Sequence, residues 1–566
     1  MTLRKTTIAL FISTILVSGC SDKPATSQQT NQPQQHTVKT EVKEKASQDA
    51  LQIQAERDVV QRVPASQPEV FYAAAPTNKR ALIGMPAHDM MVVQPNRDSY
   101  LPTPSNGVQL VSEQPLSTFS IDVDTGSYAN IRSYLDMGQK PPADAIREEA
   151  FINYFDYGYE VPTSTAQPFS VQTELAPSPW NEDRQLLRVA LKGYDIPSDE
   201  RKPSNLVFLV DVSGSMGQPN KLPLLVQSLS MLTKQLSGDD TVSLVTYAGT
   251  SSVVLKPTKG DNQQEILNAL KQLQAGGGTY GESGIKLAYQ QAKSGFIKNG
   301  VNRVILATDG DFNVGMTNLD ELKNLIKTER DNGISLTTLG FGRGNYNDAM
   351  MEQLADIGDG NHAYIDTLHE AQKVLIRQMS GTLQSIASDV KIQIEFNPAV
   401  VKEYRLIGYQ NRQLRDEDFN NDKVDAGEIG AGHSVTAIYE VTYVGDKGQI
   451  DDLRYQKTQT GLTQPNLHQN ELAQVKVRYK LPESDTSKLV KTVVNHKDGK
   501  RAFAQASSDF QFATSVAAFA QKLKDNKYLN DLSYAQIATI ARDNRGDDPY
   551  NDRGEFIRMV EVAQNL

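Results

Sequence analysis

Between residues 200 and 382 short apolar runs alternate with amphipathic stretches, and this alternation limits the fold to a narrow class. Leu206-Val207-Phe208-Leu209-Val210 is a continuous apolar run, as expected of a strand covered on both faces. It is followed by Leu222, Leu225, Val226, Leu229, Leu232 and Leu236 at helical spacing. Thr241–Tyr247 and Ser252–Leu255 read as a hairpin-like pair of strands, and Gln263–Leu273 and Gly281–Phe296 as helices. The series closes with strand Arg303–Ala307, helix Leu319–Arg330, strand Ser335–Phe341, helix Asp348–Ile357, strand Ala363–Ile365 and helix Leu368–Met379. Strand–helix alternation of this kind predicts an α/β fold, Rossmann-like, with a mostly parallel sheet and helices on both faces.

In such sheets ligands bind outside the carboxyl ends of the strands. Two of the apolar runs end there in oxygen-bearing residues: Asp211-Val212-Ser213-Gly214-Ser215 after the first, and Thr308-Asp309-Gly310 after Val304-Ile305-Leu306-Ala307. A glycine loop between them, Gly276-Gly277-Gly278-Thr279, adds another hydroxyl. Asp211, Ser213, Ser215, Thr279 and Asp309 are all hard oxygen donors, a set suited to Mg²⁺ or a similar small cation such as Mn²⁺ or Ca²⁺. Any one part alone has a plainer explanation, because Asp and Ser also build turns and cap helices. The three parts together point to metal.

In their order and composition these segments resemble the metal-ion-dependent adhesion site (MIDAS) of von Willebrand factor type A (VWA) domains. The resemblance implies that Ser213 and Ser215 touch the ion directly, and that Thr279, Asp211 and Asp309 act directly or through water. Two carboxylates and three neutral ligands would leave Mg²⁺ with an open position, which the family fills with an Asp or Glu carboxylate of a partner protein.

The amino terminus carries Arg4 and Lys5, an apolar stretch from Ile8 to Val17, and then Val17-Ser18-Gly19-Cys20. The stretch is short of the roughly 20 residues that a membrane span requires and has the pattern of a secretory signal peptide over residues 1–20. Its end resembles a bacterial lipobox, which implies lipidation of Cys20. Cys20 is the only cysteine among 566 residues, so an intrachain disulfide is excluded. Ser21 follows it, which in Gram-negative lipoproteins favours the outer membrane over the inner. Residues 21–100 begin with a Gln-, Thr-, Ser- and Lys-rich tract that cannot offset chain entropy by apolar burial. They are expected to form a tether, broken at most by a short helix over Gln52–Arg62.

The rest of the chain is globular in composition, with 39% hydrophobic and 22% charged residues overall. A net charge of −10 argues against general nucleic-acid binding. Residues 101–199 contain a second metal-like segment, Asp122-Val123-Asp124-Thr125-Gly126-Ser127, that lacks the loop and Asp-Gly partners. It is expected to cap a helix over Tyr128–Leu135. Together with Phe151-Ile152-Asn153-Tyr154-Phe155 it resembles the amino-terminal module of a group of VWA-bearing bacterial lipoproteins, the YfbK-like group. That resemblance covers about residues 100–566.

Residues 383–505 alternate in strand fashion, as in Val390-Lys391-Ile392-Gln393-Ile394 and Thr436–Val441. With Phe169–Leu175 and Leu186–Leu191 they are expected to form an antiparallel sandwich into which the VWA domain is inserted. Asp418–Asp425 imitates a calcium loop, but Lys423 stands where Gly belongs and Ile429 where the bidentate Glu belongs, so a solvated acidic turn is expected. Residues 506–566 turn helical, with Phe512, Val516, Phe519 and Leu523 on one stripe and Ile537, Ile540 and Ala541 on a second, which predicts a helical pair.

Enzyme motifs are missing from the sequence: no Gly-x-Ser-x-Gly elbow, His-Glu-x-x-His, Walker A loop or Gly-x-Gly-x-x-Gly after a strand. His88 and His433 fall in turn-like passages. The expectation is a non-enzymatic, lipid-anchored protein of the cell envelope that binds a partner protein through a divalent cation and does not bind nucleic acid. The alternatives are an envelope-assembly factor whose metal only braces the VWA loops and, more remotely, a hydrolase.

Overall fold

The computed structural model describes residues 97–566 except 163–166, 198–199, 311–318, 379–380, 382, 452–467, 483, 497–500 and 526. Cys20, the signal peptide, nearly all of the tether, the Gln52–Arg62 helix and His88 lie outside the described residues.

The central sheet has six strands in the order His362–Ile365, Ser335–Phe341, Val301–Thr308, Ser204–Asp211, Thr241–Tyr247 and Ser251–Lys259. All neighbours run parallel except the last pair, which is antiparallel. Every residue of Ser204–Asp211 is buried, which is why that strand reads as an unbroken apolar run. One face of the sheet packs on Leu222, Leu225, Leu229, Ile266 and Leu270, the other on Ile285, Ala288, Leu322, Ile326 and Leu354. The α/β expectation holds, with helices on both faces.

Two further sheets flank this layer. One has the order Gln109–Leu110, Val401–Ile407, Ser434–Tyr443, Asn181–Gly193, Phe169–Ser178. The other runs Ile429–Gly430, Ser385–Phe396, Glu471–Lys480, Ser487–Asn495, with Leu116–Ser120 added beside Ser385–Phe396. Both contribute to one core that includes Phe119, Phe169, Leu187, Val189, Leu191, Ile392, Ile394, Tyr439 and Val475. Strands before and after the VWA segment interleave in it, as an inserted domain requires, so residues 101–199 and 383–505 share this core. Pairing partners this far apart leave no local trace in the sequence.

A third core joins Tyr128, Phe151, Tyr154 and Phe155 to Phe512, Phe519 and Phe556. Among the described residues the carboxy-terminal segment has three α-helices, Ser508–Leu523, Tyr534–Asp543 and Asp552–Ala563, where a pair was expected. The fold also takes in residues before 101: Arg97 and Ser99 donate backbone hydrogen bonds to Gly344 and Tyr346.

Candidate metal centre

The strand Ser204–Asp211 delivers Asp211 to the carboxyl edge of the sheet, and the adjacent parallel strand Val301–Thr308 delivers Thr308 and then Asp309. Asp211 and Asp309 are fully buried, Ser213 nearly so, and Ser215 is half-buried. Asp211 Oδ1 accepts the Ser213 amide at 2.8 Å, a local turn that aims the Ser loop. Its Oδ2 accepts Thr308 Oγ1 at 3.1 Å and Tyr247 Oη at 3.2 Å. Ser213 Oγ and Ser215 Oγ are 3.0 Å apart and hydrogen-bond each other. The glycine loop closes on this segment, with the Gly276 amide on Val212 O at 2.8 Å and the Gly214 amide on Gly277 O at 3.0 Å. Thr279 follows in that loop, half-buried. Three segments far apart in sequence therefore meet at one sheet edge.

Two features bear on whether an ion fits. Asp309 Oδ1 is buried without a hydrogen-bond partner among the described residues, a costly state for a carboxylate oxygen. Burial pushes the Asp211 carboxyl up to about 6, and the charge of Asp309 adds to the rise. A cation would relieve both. Against this, Lys221 Nζ already lies 2.8 Å from Asp309 Oδ2, with both side chains buried. Nothing in the spacing of the sequence marks Lys221 or Tyr247; Thr308 stands in the Thr308-Asp309-Gly310 segment, and the structure adds its bond to Asp211. Among the described residues no group of three or more His, Cys, Asp or Glu is placed to hold a metal, so any ion here relies on hydroxyls beside two carboxylates.

The second metal-like segment is built differently. Asp122 Oδ1 accepts the Asp124 amide at 2.9 Å and Oδ2 accepts Arg412 Nε at 3.0 Å. Asp124 Oδ1 accepts the His362 amide at 2.9 Å, and Ser127 Oγ bonds Ala145 O and the Arg147 amide. The helix does begin here, over Gly126–Asp136, but its N-cap Thr125 makes no side-chain capping bond. Capping is thus corrected to tertiary bonding. In the acidic turn Asp418 pairs with Arg415, Asp422 with Arg478 and Asp425 with Arg330. His433 lies, as expected, in the turn before Ser434–Tyr443, with its ring Nε2 buried. Burial, followed by the nearby Lys192 charge, pulls its pKa down to about 4.

A mostly parallel α/β sheet with this oxygen-rich edge defines a VWA-type protein. The family described as von Willebrand factor type A domain matches residues 205–378, that described as von Willebrand factor matches 94–188, and that described as Uncharacterized protein YfbK, C-terminal matches 381–566. Uncharacterized protein YfbK of Escherichia coli (strain K12) is 46% identical over 498 residues, 87% of this chain and 85% of the relative. The chain belongs to the YfbK family of VWA-domain proteins. A protein of Synechocystis sp. is 26% identical over 342 residues, 59% of this chain and 75% of its own length. Among solved structures, von Willebrand factor type A from Catenulispora acidiphila aligns with a TM-score of 0.39 and 14% identity, over 73% of this chain and 98% of that one. The VWA domain places the chain among protein-interaction and adhesion modules.

Proposed function

We propose that the protein captures a partner protein through a divalent cation held by Asp211, Ser213, Ser215, Thr279 and Asp309, from a lipid anchor on Cys20 in the cell envelope. The observation that carries the metal reading is the buried Asp309 Oδ1, unpartnered among the described residues, beside the Ser213–Ser215 hydroxyl pair. When bound, the ion supplies a Lewis-acidic position for a partner's Asp or Glu carboxylate. Anchoring rests on the lipobox-like Val17–Cys20 alone. No helix among the described residues is long and apolar enough to cross a membrane.

A second reading is favoured by the Lys221–Asp309 pair, which braces the loops without metal: the flanking modules then make the contacts. Calorimetric titration with Mg²⁺ and Mn²⁺, beside partner capture from envelope fractions with and without chelator, separates the two. Capture abolished by chelator supports the metal reading. Capture indifferent to chelator sinks it.

A further inference from the structure

Among the described residues Lys221 is the cation placed on the candidate ligands, and its position is closely determined. Its ammonium is 2.8 Å from Asp309 Oδ2, and its side chain is 4% exposed. The Lys221 stem lies where any side chain at Gly342 would sit, and Gly342 has φ +65°, so the backbone there is shaped to leave that space. Asp211 and Asp309 bring two negative charges and Lys221 one positive, which leaves −1 before an ion arrives. A divalent ion makes the total +1. Without Lys221 the loaded site would be neutral.

We propose that Lys221 sets the charge of the site, loosening the hold on the cation while strengthening the pull on the carboxylate that the cation receives. This rests on the metal reading above. Lys221 is a specificity-determining residue here: the ammonium repels the ion through Coulomb forces and attracts an incoming anion by the same forces. A merely structural lysine would move both affinities in one direction, or neither.

The test uses the full chain, Mn²⁺ alone as the metal probe and acetate as the carboxylate probe. Calorimetry gives Mn²⁺ affinity; water-proton relaxation of the Mn²⁺-saturated protein follows acetate. Lys221→Gln keeps a donor for Asp309 but removes the charge. It should bind Mn²⁺ on the order of tenfold tighter and acetate several-fold weaker. Lys221→Arg should stay near wild type on both. Unchanged affinities in Lys221→Gln, or a shift of both in the same direction, overturn the proposal while leaving the metal reading standing. A wild type that takes up no Mn²⁺ overturns both. Should Lys221→Gln fold poorly, Lys221→Met is melted with and without Mn²⁺: a larger Mn²⁺-dependent rise than wild type supports the proposal, and an equal or smaller rise overturns it.

Discussion

Two segments of this chain are spelled alike and built for different ends. Asp211-Val212-Ser213-Gly214-Ser215 and Asp122-Val123-Asp124-Thr125-Gly126-Ser127 both crowd acidic and hydroxyl oxygens into a few residues around a glycine. Around Asp122 each named oxygen has a protein partner: Arg412, the Asp124 and His362 amides, Ala145 O and the Arg147 amide. Around Asp211 the oxygens converge with those of Asp309, and one of these has no partner among the described residues. The two segments are spelled alike and differ in how their named oxygens are partnered, throughout by protein at Asp122 and only in part at Asp309.

The sharpest way to break this comparison is to neutralise one carboxylate from each segment. Asp309→Asn should reduce Mn²⁺ affinity about 100-fold or more, because a divalent ion held by two carboxylates loses half of its counter-charge. Asp122→Asn should leave it unchanged. Equal metal titrations of the two variants would show the comparison to be false.

Next in size is Arg412, which pairs with Asp122, Glu352 and Asp356 at 3.0, 3.0 and 2.7 Å. Arg412→Ala strips charge partners from mostly buried carboxylates and should cost about 3–5 kcal/mol by denaturant unfolding. Mn²⁺ affinity of the folded fraction should not change. A cost below about 1 kcal/mol would mean that the Asp122 segment is no joint at all.

A smaller, pH-dependent effect comes from Glu149, beside Asp122. Burial, then the charges of Asp122 and Glu148, pushes its carboxyl up to about 7. The folded pKa is raised, so its favourable contribution is full below the unfolded value of 4.5 and is lost as pH rises through about 7. Glu149→Gln should therefore gain stability at about pH 8, by up to about 3 kcal/mol, and lose that advantage near pH 4. Melting curves at both pH values check it; a gain that does not depend on pH contradicts the assignment.

The central layer was legible because its strands are covered on both faces and so appear as unbroken apolar runs, Leu206–Val210 being the clearest. The three oxygen-bearing segments were legible because each sits at a strand end or glycine loop. Lys221 was not, since its pairing with Asp309 spans 88 residues. The pairing of Ser434–Tyr443 with Asn181–Gly193 was expected only in outline, because alternation fixes which face is buried and not which neighbour is met. Buried Arg132, held by Asp366, Glu370 and Glu555, reads in the sequence as an ordinary polar position of an amphipathic helix. Its partners lie on elements whose approach no local pattern encodes.

The smallest expected effect belongs to the acidic turn, which extends the same comparison to a third segment. Asp422 is 38% exposed and lies 3.3 Å from Arg478, and its carboxyl is held below the usual range first by a hydrogen bond from Ser487. Its neighbours Asp418 and Asp425 are directed to Arg415 and Arg330, so the three carboxylates diverge toward separate arginines and do not share a centre. Exposed pairs of this kind contribute little once solvent screening is counted. Asp422→Ala should change stability by less than about 1 kcal/mol and leave Ca²⁺ and Mn²⁺ titrations as they are in the wild type. The same calorimeter run decides it. A large loss of Ca²⁺ heat in this variant would place a cation in the turn after all, and carboxylates that diverge toward separate arginines would then no longer mark a segment that binds no metal.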